Sequence, residues 1–203
     1  MMPVHAVIIA GGRGERLGGV RKADLRLGGR RLVDRVADEL RPLASQLMLS
    51  VGPHDDGRGE RTGSIRVTDL AAPVGGPLAG LAAAVASLKT RGIEDGVLIS
   101  VAVDTPFLPG DFCAVMVEAM GDGDAAFAAW GDDFYPPNAA WRIAALAALP
   151  LEVLRGHAPK SLKALQEGMR ARRVDWTGRS ARNPFVNVNT PADLVALGHM
   201  ARR

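Results

Sequence analysis

The feature that most constrains this chain is an apolar, β-branched run that passes without a break into glycines. Residues 4–10, VHAVIIA, are apolar except for His5, the pattern of a strand buried on both faces of a parallel sheet. Residues 11–22, GGRGERLGGVRK, then hold five glycines in twelve positions. Glycines let backbone N–H groups curl around an anion, and Arg16 and Lys22 bring cations to the same segment. A strand feeding such a loop reads as a nucleotide phosphate site. A merely flexible loop in a Gly- and Arg-rich chain is the alternative. Two common glycine-loop motifs fail here. Gly12-x-Gly14 needs a third glycine where Leu17 stands, and Gly14-x-x-x-x-Gly19 needs Lys and Ser/Thr where Val20 and Arg21 stand. Dehydrogenase and P-loop readings both lose ground.

Beyond the loop, short β-branched runs alternate with segments of helical period, which predicts an α/β fold with a mostly parallel sheet. Strands are expected at residues 4–10, 46–51, 65–68, 97–103, 125–129, 138–141, 173–176 and 185–188, with a short apolar segment at 25–27. In residues 32–40, Leu32, Val33, Val36, Ala37 and Leu40 share one face and Asp34, Arg35, Asp38 and Glu39 the other, so one side of this helix packs on the sheet. Further helices are expected at 78–89 and from 109 or 111 to 120. A last one starts with Thr190 as N-cap, Pro191 at the first helical position and Asp193 at the third. A chain of 203 residues, 47% hydrophobic, has enough apolar surface for one substantial core, so residues 1–203 are read as a single domain.

Composition excludes several function classes. The net charge is +3, and only four of the 25 basic residues are lysines, so the basicity reflects arginine usage and no nucleic-acid tract is indicated. Aromatic residues make up 4% of the chain, too few for the stacking platform of a single-strand binder. One cysteine, Cys113, excludes an intramolecular disulfide and a cysteine-based zinc site, and its place in a predicted helix reads as core. The four histidines lack metal-ligand spacing, and no Gly-x-Ser-x-Gly elbow is present. No signal peptide or membrane span is recognised, so the protein is expected to be soluble and cytoplasmic, with no membrane partner.

Four carboxylate and amide positions stand beside the loop. Asp104 directly follows an apolar strand and precedes Thr105-Pro106, at the sheet edge where open α/β folds bind ligands; there it can hold Mg²⁺, or simply cap the next element. Asp69 also sits just past a strand, before Gly75-Gly76-Pro77, and an ordinary loop aspartate is its alternative. Asn187 and Asn189 alternate with Val186 and Val188 and so face one side of the last expected strand, to bind a ligand or a loop. Because lysine is scarce, Lys22 at the end of the glycine segment is the cation least attributable to composition.

Taken in order, Ile8-Ile9-Ala10-Gly11-Gly12 with Arg16-Leu17-Gly18-Gly19 and Lys22, Gly76-Pro77-Leu78-Ala79-Gly80, Asp104-Thr105-Pro106, and Val186-Asn187-Val188-Asn189-Thr190-Pro191 strongly resemble the molybdenum cofactor guanylyltransferases, the MobA family. The opening loop and the Asp-Thr-Pro turn are shared by many nucleotidyltransferases; the second and last segments are the narrower signal. The resemblance implies a Rossmann-like three-layer sandwich of the nucleotide-diphospho-sugar transferase type. It implies GTP and molybdopterin, the organic part of the molybdenum cofactor, as substrates, and transient contact with cofactor-synthesis or molybdoenzyme-maturation proteins. It further implies that Ile9, Ala10, Gly11 and Gly12 contact the nucleotide, that Lys22 and Arg16 serve the phosphates, and that Asp69 faces GTP. Asp104 would bind nucleotide and Mg²⁺, and Asn187 and Asn189 would receive the pterin. Two positions depart from the family pattern: Arg21 stands where Asp is frequent, and Ser50, a nucleotide-binding position, lies where Asn is frequent. A related transferase using CTP or a sugar phosphate, and a non-catalytic nucleotide or pterin adaptor, are the competing readings.

Overall fold

The computed structural model describes residues 2–11, 20–52, 63–71, 75–198 and 200–202. Among them, seven strands form one sheet: β1 (Val4–Ile9), β4 (Leu47–Val51), β5 (Ile65–Thr68), β6 (Val97–Ala102), β7 (Ala125–Trp130), β8 (Asp133–Arg142) and β9 (Ala171–Asp175). Their order is β5-β4-β1-β6-β8-β7-β9. Every neighbouring pair is parallel except β8, which runs against both β6 and β7. β1 is central, and its alternate residues enter opposite cores: Ala6 and Ile8 on one face, Val7 and Ile9 on the other. This is why its sequence is continuously apolar rather than alternating.

Helices cover both faces, as the expected three-layer sandwich requires. On one face α1 (Leu32–Leu40), α3 (Phe112–Met120) and α6 (Pro191–Gly198) pack; on the other lie α2 (Pro77–Thr90), α4 (Leu149–Arg155) and α5 (Leu162–Glu167). The buried side of α1 consists of the five residues its periodicity selects. A small antiparallel hairpin, β2 (Arg26–Leu27) with β3 (Arg30–Arg31), precedes α1. It turns through Gly28 and Gly29 at φ 59° and 86°, the positive-φ pair that a two-residue hairpin loop needs.

Three expectations need correction. The segment at 185–188 is not a strand. It follows Pro184, finds no partner strand, and crosses the carboxyl edge with Val188 N–H donating to the Asp104 carbonyl at 3.1 Å. Phe185 anchors it in the core against Phe112 and Trp176, with ring centroids 6.0 and 5.6 Å away, each such pair contributing about 0.5–1.5 kcal/mol. Side-chain packing has replaced the missing backbone ladder. The helices α4 and α5, and the start of β8 at Asp133, are absent from the expectations; both helices are short, and Ala- and Leu-rich stretches separated by prolines carry little periodic signal.

The chain leaves β1 toward β4 on one side and later enters β6 on the other. The carboxyl ends of β1 and β6 therefore flank the crevice where an open α/β sheet binds ligands.

Candidate functional site

The residues just past the parallel strands converge on that crevice: Gly11 after β1, Gly52 after β4, Asp69 after β5 and Asp104 after β6. A cleft of about 250 Å³ lies there, lined by Ile9, Gly11, Lys22, Gly76, Pro77, Ala102, Val103, Asp104, Pro137 and Asn187. Lys22 opens a short 3-10 turn, Lys22–Asp24. Its Nζ donates to Asp104 Oδ2 at 2.6 Å and to Asn189 Oδ1 at 2.7 Å. An ammonium has three donors; two are taken by these partners, which aims the remainder of the group into the cleft. The Lys22 and Asp104 side chains are 19% and 14% exposed, so the pair is shielded without being sealed.

Asn189 owes its position to the helix that follows it. Thr190 Oγ1 accepts from Asp193 N–H at 3.2 Å, and Asp193 Oδ2 accepts from the N–H groups of Asn189 and Thr190 at 2.9 and 2.8 Å. This is a capping box with Asp in place of Glu. Those amide bonds from Asn189 and Thr190 hold the Asp193 carboxyl below its ordinary range. Thus the Thr-Pro start of α6 fixes the residue that holds Lys22. Asn187 lines the cleft two residues earlier, so both asparagines reach the site although the segment carrying them is no strand.

The helix α2 brings its N-terminus to the same cleft. Gly76 adopts φ 73° with ψ −154° and Pro77 follows in the first turn, a geometry that lets the chain enter the helix abruptly. A 14-residue helix directs free N–H groups and the positive end of its dipole there, which favours an anion.

Asp69 and Ser50 lie beneath the cleft rather than in its wall. Ser50 is fully buried, and its Oγ donates to Asp69 Oδ1 at 2.5 Å. Burial pushes the Asp69 carboxyl up from its ordinary value, and the Ser50 bond opposes that rise. Gly11 covers the other oxygen so closely that a Cβ there would stand 2.6 Å from Asp69 Oδ2. Ser50 therefore positions Asp69 under Gly11, and its hydroxyl is committed to Asp69 rather than presented to the cleft. Ala10 N–H is also committed, to the Ser50 carbonyl at 2.9 Å, so any ligand contact at Ala10 has to use another group. The expected contributions of Gly12 and Arg16 fall outside the described residues.

Sequence reasoning missed Pro137. The Pro136-Pro137 pair just before an expected strand was the available signal, because proline cannot join a ladder as donor. For a divalent cation the donor set is sparse. Asp104 Oδ1 has no hydrogen-bond partner among the described residues, and no cluster of three His, Cys, Asp or Glu side chains occurs among them. One carboxylate oxygen fits a hard cation that draws its other ligands from water and a triphosphate. It does not fit an ion held wholly by protein.

Comparison with known proteins adds the following. Residues 6–176 match the sequence model of a family described as the MobA-like NTP transferase domain. A molybdenum cofactor guanylyltransferase from Cereibacter sphaeroides is 35% identical over 208 residues, covering 100% of this chain and 99% of that protein. Its counterpart from Acidiphilium cryptum is 38% identical over 195 residues, 95% and 93% of the two chains. Among solved structures, molybdopterin-guanine dinucleotide biosynthesis protein A from Archaeoglobus fulgidus superposes with a TM-score of 0.71 at 22% identity over 98% of each chain. The 2-C-methyl-D-erythritol 4-phosphate cytidylyltransferase from Thermus thermophilus does so at 0.68 and 18% identity over 100% of each. One fold thus serves proteins named for guanine and for cytidylyl groups, so the fold alone does not select the nucleotide.

Proposed function

Because the chain belongs to the MobA-like NTP transferase family, we propose that it transfers GMP from GTP to the terminal phosphate of molybdopterin, with or without bound metal. The products are the guanine dinucleotide form of the molybdenum cofactor and pyrophosphate. The observation that carries this reading is end-to-end similarity, at 35% and 38% identity, to proteins named as guanylyltransferases. The same observation disfavours the CTP or sugar-phosphate transferase and the non-catalytic adaptor.

In this reading an oxygen of the acceptor phosphate forms a bond to the α-phosphorus of GTP. The bond from that phosphorus to the bridging oxygen breaks, and pyrophosphate departs with the electron pair. A phosphomonoester has its second pKa near 6 and is already anionic at neutral pH, so no proton has to be removed from it. The protein's task is to align two polyanions and neutralise their charge. Lys22, fixed by Asp104 and Asn189, supplies a charge-assisted donor to the phosphates, with Arg16 as a second cation. The N-terminus of α2 supplies backbone donors, and Asn187 and Asn189 orient the acceptor. Asp69 and Gly11 serve the nucleotide side, together with the backbone of Ile9, Ala10 and Gly12. A Mg²⁺ held by Asp104 would screen the triphosphate charge when bound. The same reading assigns residues 1–203 to one domain and the reaction to the cytoplasm, with passing contact to cofactor-synthesis or molybdoenzyme-maturation proteins; no described helix is long and apolar enough to cross a membrane.

Calorimetry with GTP, CTP, ATP and UTP in the presence and absence of Mg²⁺ tests the nucleotide assignment. GTP is expected to bind best, and Lys22→Ala to weaken it about ten- to a hundredfold, the factor for losing a hydrogen bond from a charged group. Preference for CTP would overturn the substrate assignment. Pyrophosphate release that stays at the wild-type rate in Lys22→Ala would overturn the role of Lys22.

A further inference from the structure

The strand β8 stops pairing where the site begins. Its register with β6 runs from Val97↔Arg142 to Ser100↔Ala139 and ends. On the other side the β7 register jumps from Phe127↔Ala139 to Ala128↔Tyr135. Pro136, Pro137 and Asn138 are thus left out of both ladders. Two further steps of the β6 register would have set Ala102 opposite Pro137. Proline has no N–H to give, and side chains complete the edge instead. Ser100 Oγ donates to the Pro137 carbonyl at 2.7 Å while accepting from Trp141 Nε1 at 2.8 Å. The N–H of Ala102 donates to Asn138 Oδ1 at 2.9 Å, and Asn138 Nδ2 donates to Thr105 Oγ1 at 3.3 Å.

The second pair of bonds brackets Asp104. Ala102 is the last residue of β6 and Thr105 follows Asp104 directly, so a single amide ties the chain before the carboxylate to the chain after it. Both Asn138 and Thr105 are almost wholly buried, at 1% and 0% exposure. An asparagine sealed at that depth must have its amide satisfied, and here one oxygen and one N–H go to the two sides of the same turn. Among the described residues, two backbone bonds also join this turn to distant segments: Val103 N–H donates to the Ile9 carbonyl at 3.1 Å, and Val188 N–H donates to the Asp104 carbonyl at 3.1 Å; the neighbours of Val188 are Asn187 and Asn189.

We propose that Asn138 is a positioning residue for the reaction, an amide clip that sets the Asp104 turn and through it the Lys22–Asp104–Asn189 cluster. The clip supplies what the Pro136-Pro137 interruption takes away: β8 can swing aside to place Pro137 in the cleft wall without loosening the edge of β6. It touches neither substrate nor nucleotide. The inference deepens the proposed guanylyl transfer and rests on that reading for its catalytic meaning, while its geometry can be tested with no nucleotide present.

Reductive methylation of the ligand-free protein, read residue by residue by peptide mass spectrometry, makes that test. The four lysines are Lys22, Lys89, Lys160 and Lys163, and the last three are exposed, so they serve as internal references. In the wild-type protein Lys22 should methylate slowest. Asn138→Ala should raise the Lys22 rate relative to the references about fivefold, the factor for one buried hydrogen bond. Thr105→Val, which keeps the shape and removes the hydroxyl that accepts from Asn138 Nδ2, should raise it in the same direction by less. Asn138→Asp retains an acceptor for Ala102 N–H, and its second oxygen can bond the Thr105 hydroxyl with the polarity reversed, so it should fall between wild type and Asn138→Ala. If the alanine variant does not fold, the other two carry the test. An unchanged Lys22 ratio in folded variants would overturn the proposal, and so would equal acceleration of all four lysines, which is general loosening. Failure of GTP to bind would leave this result standing and count against the proposed function alone.

Discussion

Gly80, the fourth residue of α2, can be tested by adding one methyl group. A Cβ there would overlap Ser50 Oγ and approach Ser50 Cβ to 3.2 Å and Asp69 Oδ1 to 3.4 Å. Ser50 cannot easily yield, because it sits fully buried in β4 with its hydroxyl bound to Asp69 at 2.5 Å. Overpacking of this kind costs about 1–3 kcal/mol. Replacing a helical glycine by alanine returns about 1 kcal/mol through backbone entropy, so Gly80→Ala should destabilise by about 1 kcal/mol. For a chain of this size that lowers the thermal midpoint by about 2–4 °C. Ser50→Ala alone leaves a buried Asp69 oxygen without its donor, at a cost of about 1–3 kcal/mol. In the double variant the overlap with Oγ is gone, and the penalty of Gly80→Ala should shrink by about 1 kcal/mol or change sign. Urea unfolding of the four proteins at pH 7 measures this coupling. Additivity within about 0.5 kcal/mol would refute the reasoning, because residues in contact must couple if the glycine is there to admit the serine.

His5 in β1 is 3% exposed, and neither ring nitrogen has a hydrogen-bond partner among the described residues; burial lowers its pKa below the ordinary 6.5. The unfolded chain takes up a proton near that ordinary value while the folded chain resists it. The stability gained from the neutral ring is therefore whole above pH 6.5 and lost as the pH falls from there toward the folded value. Thermal melts of His5→Leu should show a flatter acid limb than wild type below pH 6.5, and parallel curves would count against the assignment. Cys113 is buried in α3, and burial first, then the nearby Glu39 charge, pushes its thiol up to about 11. The folded protein should resist a thiol-specific disulfide reagent at pH 8 and react only as fast as it unfolds. Rapid stoichiometric labelling of folded protein would contradict this.

Local patterns determined much of this molecule. The continuous apolar runs of β1 and β6, the five-residue apolar face of α1 and the Thr-Pro-x-Asp start of α6 each report burial or capping within a few residues of themselves, and all four formed as their sequences require. The same locality brought Gly11, Asp69 and Asp104 to one edge, since each directly follows a parallel strand. Locality failed at 185–188, where alternation of valine and asparagine has the period of a strand but the segment crosses the carboxyl edge of the sheet and pairs with no strand. Nor could locality show that Ser50, whose residue type suits a ligand contact, lies under Gly80 with its hydroxyl on Asp69. What only the tertiary structure decided are contacts across long stretches of chain. Lys22 meets Asp104 at a separation of 82 residues and Asn189 at 167, and Asn138 reaches back 36 residues to Ala102. Side-chain period tells which face a residue occupies, and nothing in it specifies which strand lies alongside. That choice is made when the two cores close over the sheet, in an arrangement that buries both faces of β1 and leaves the ends of β1 and β6 beside the cleft.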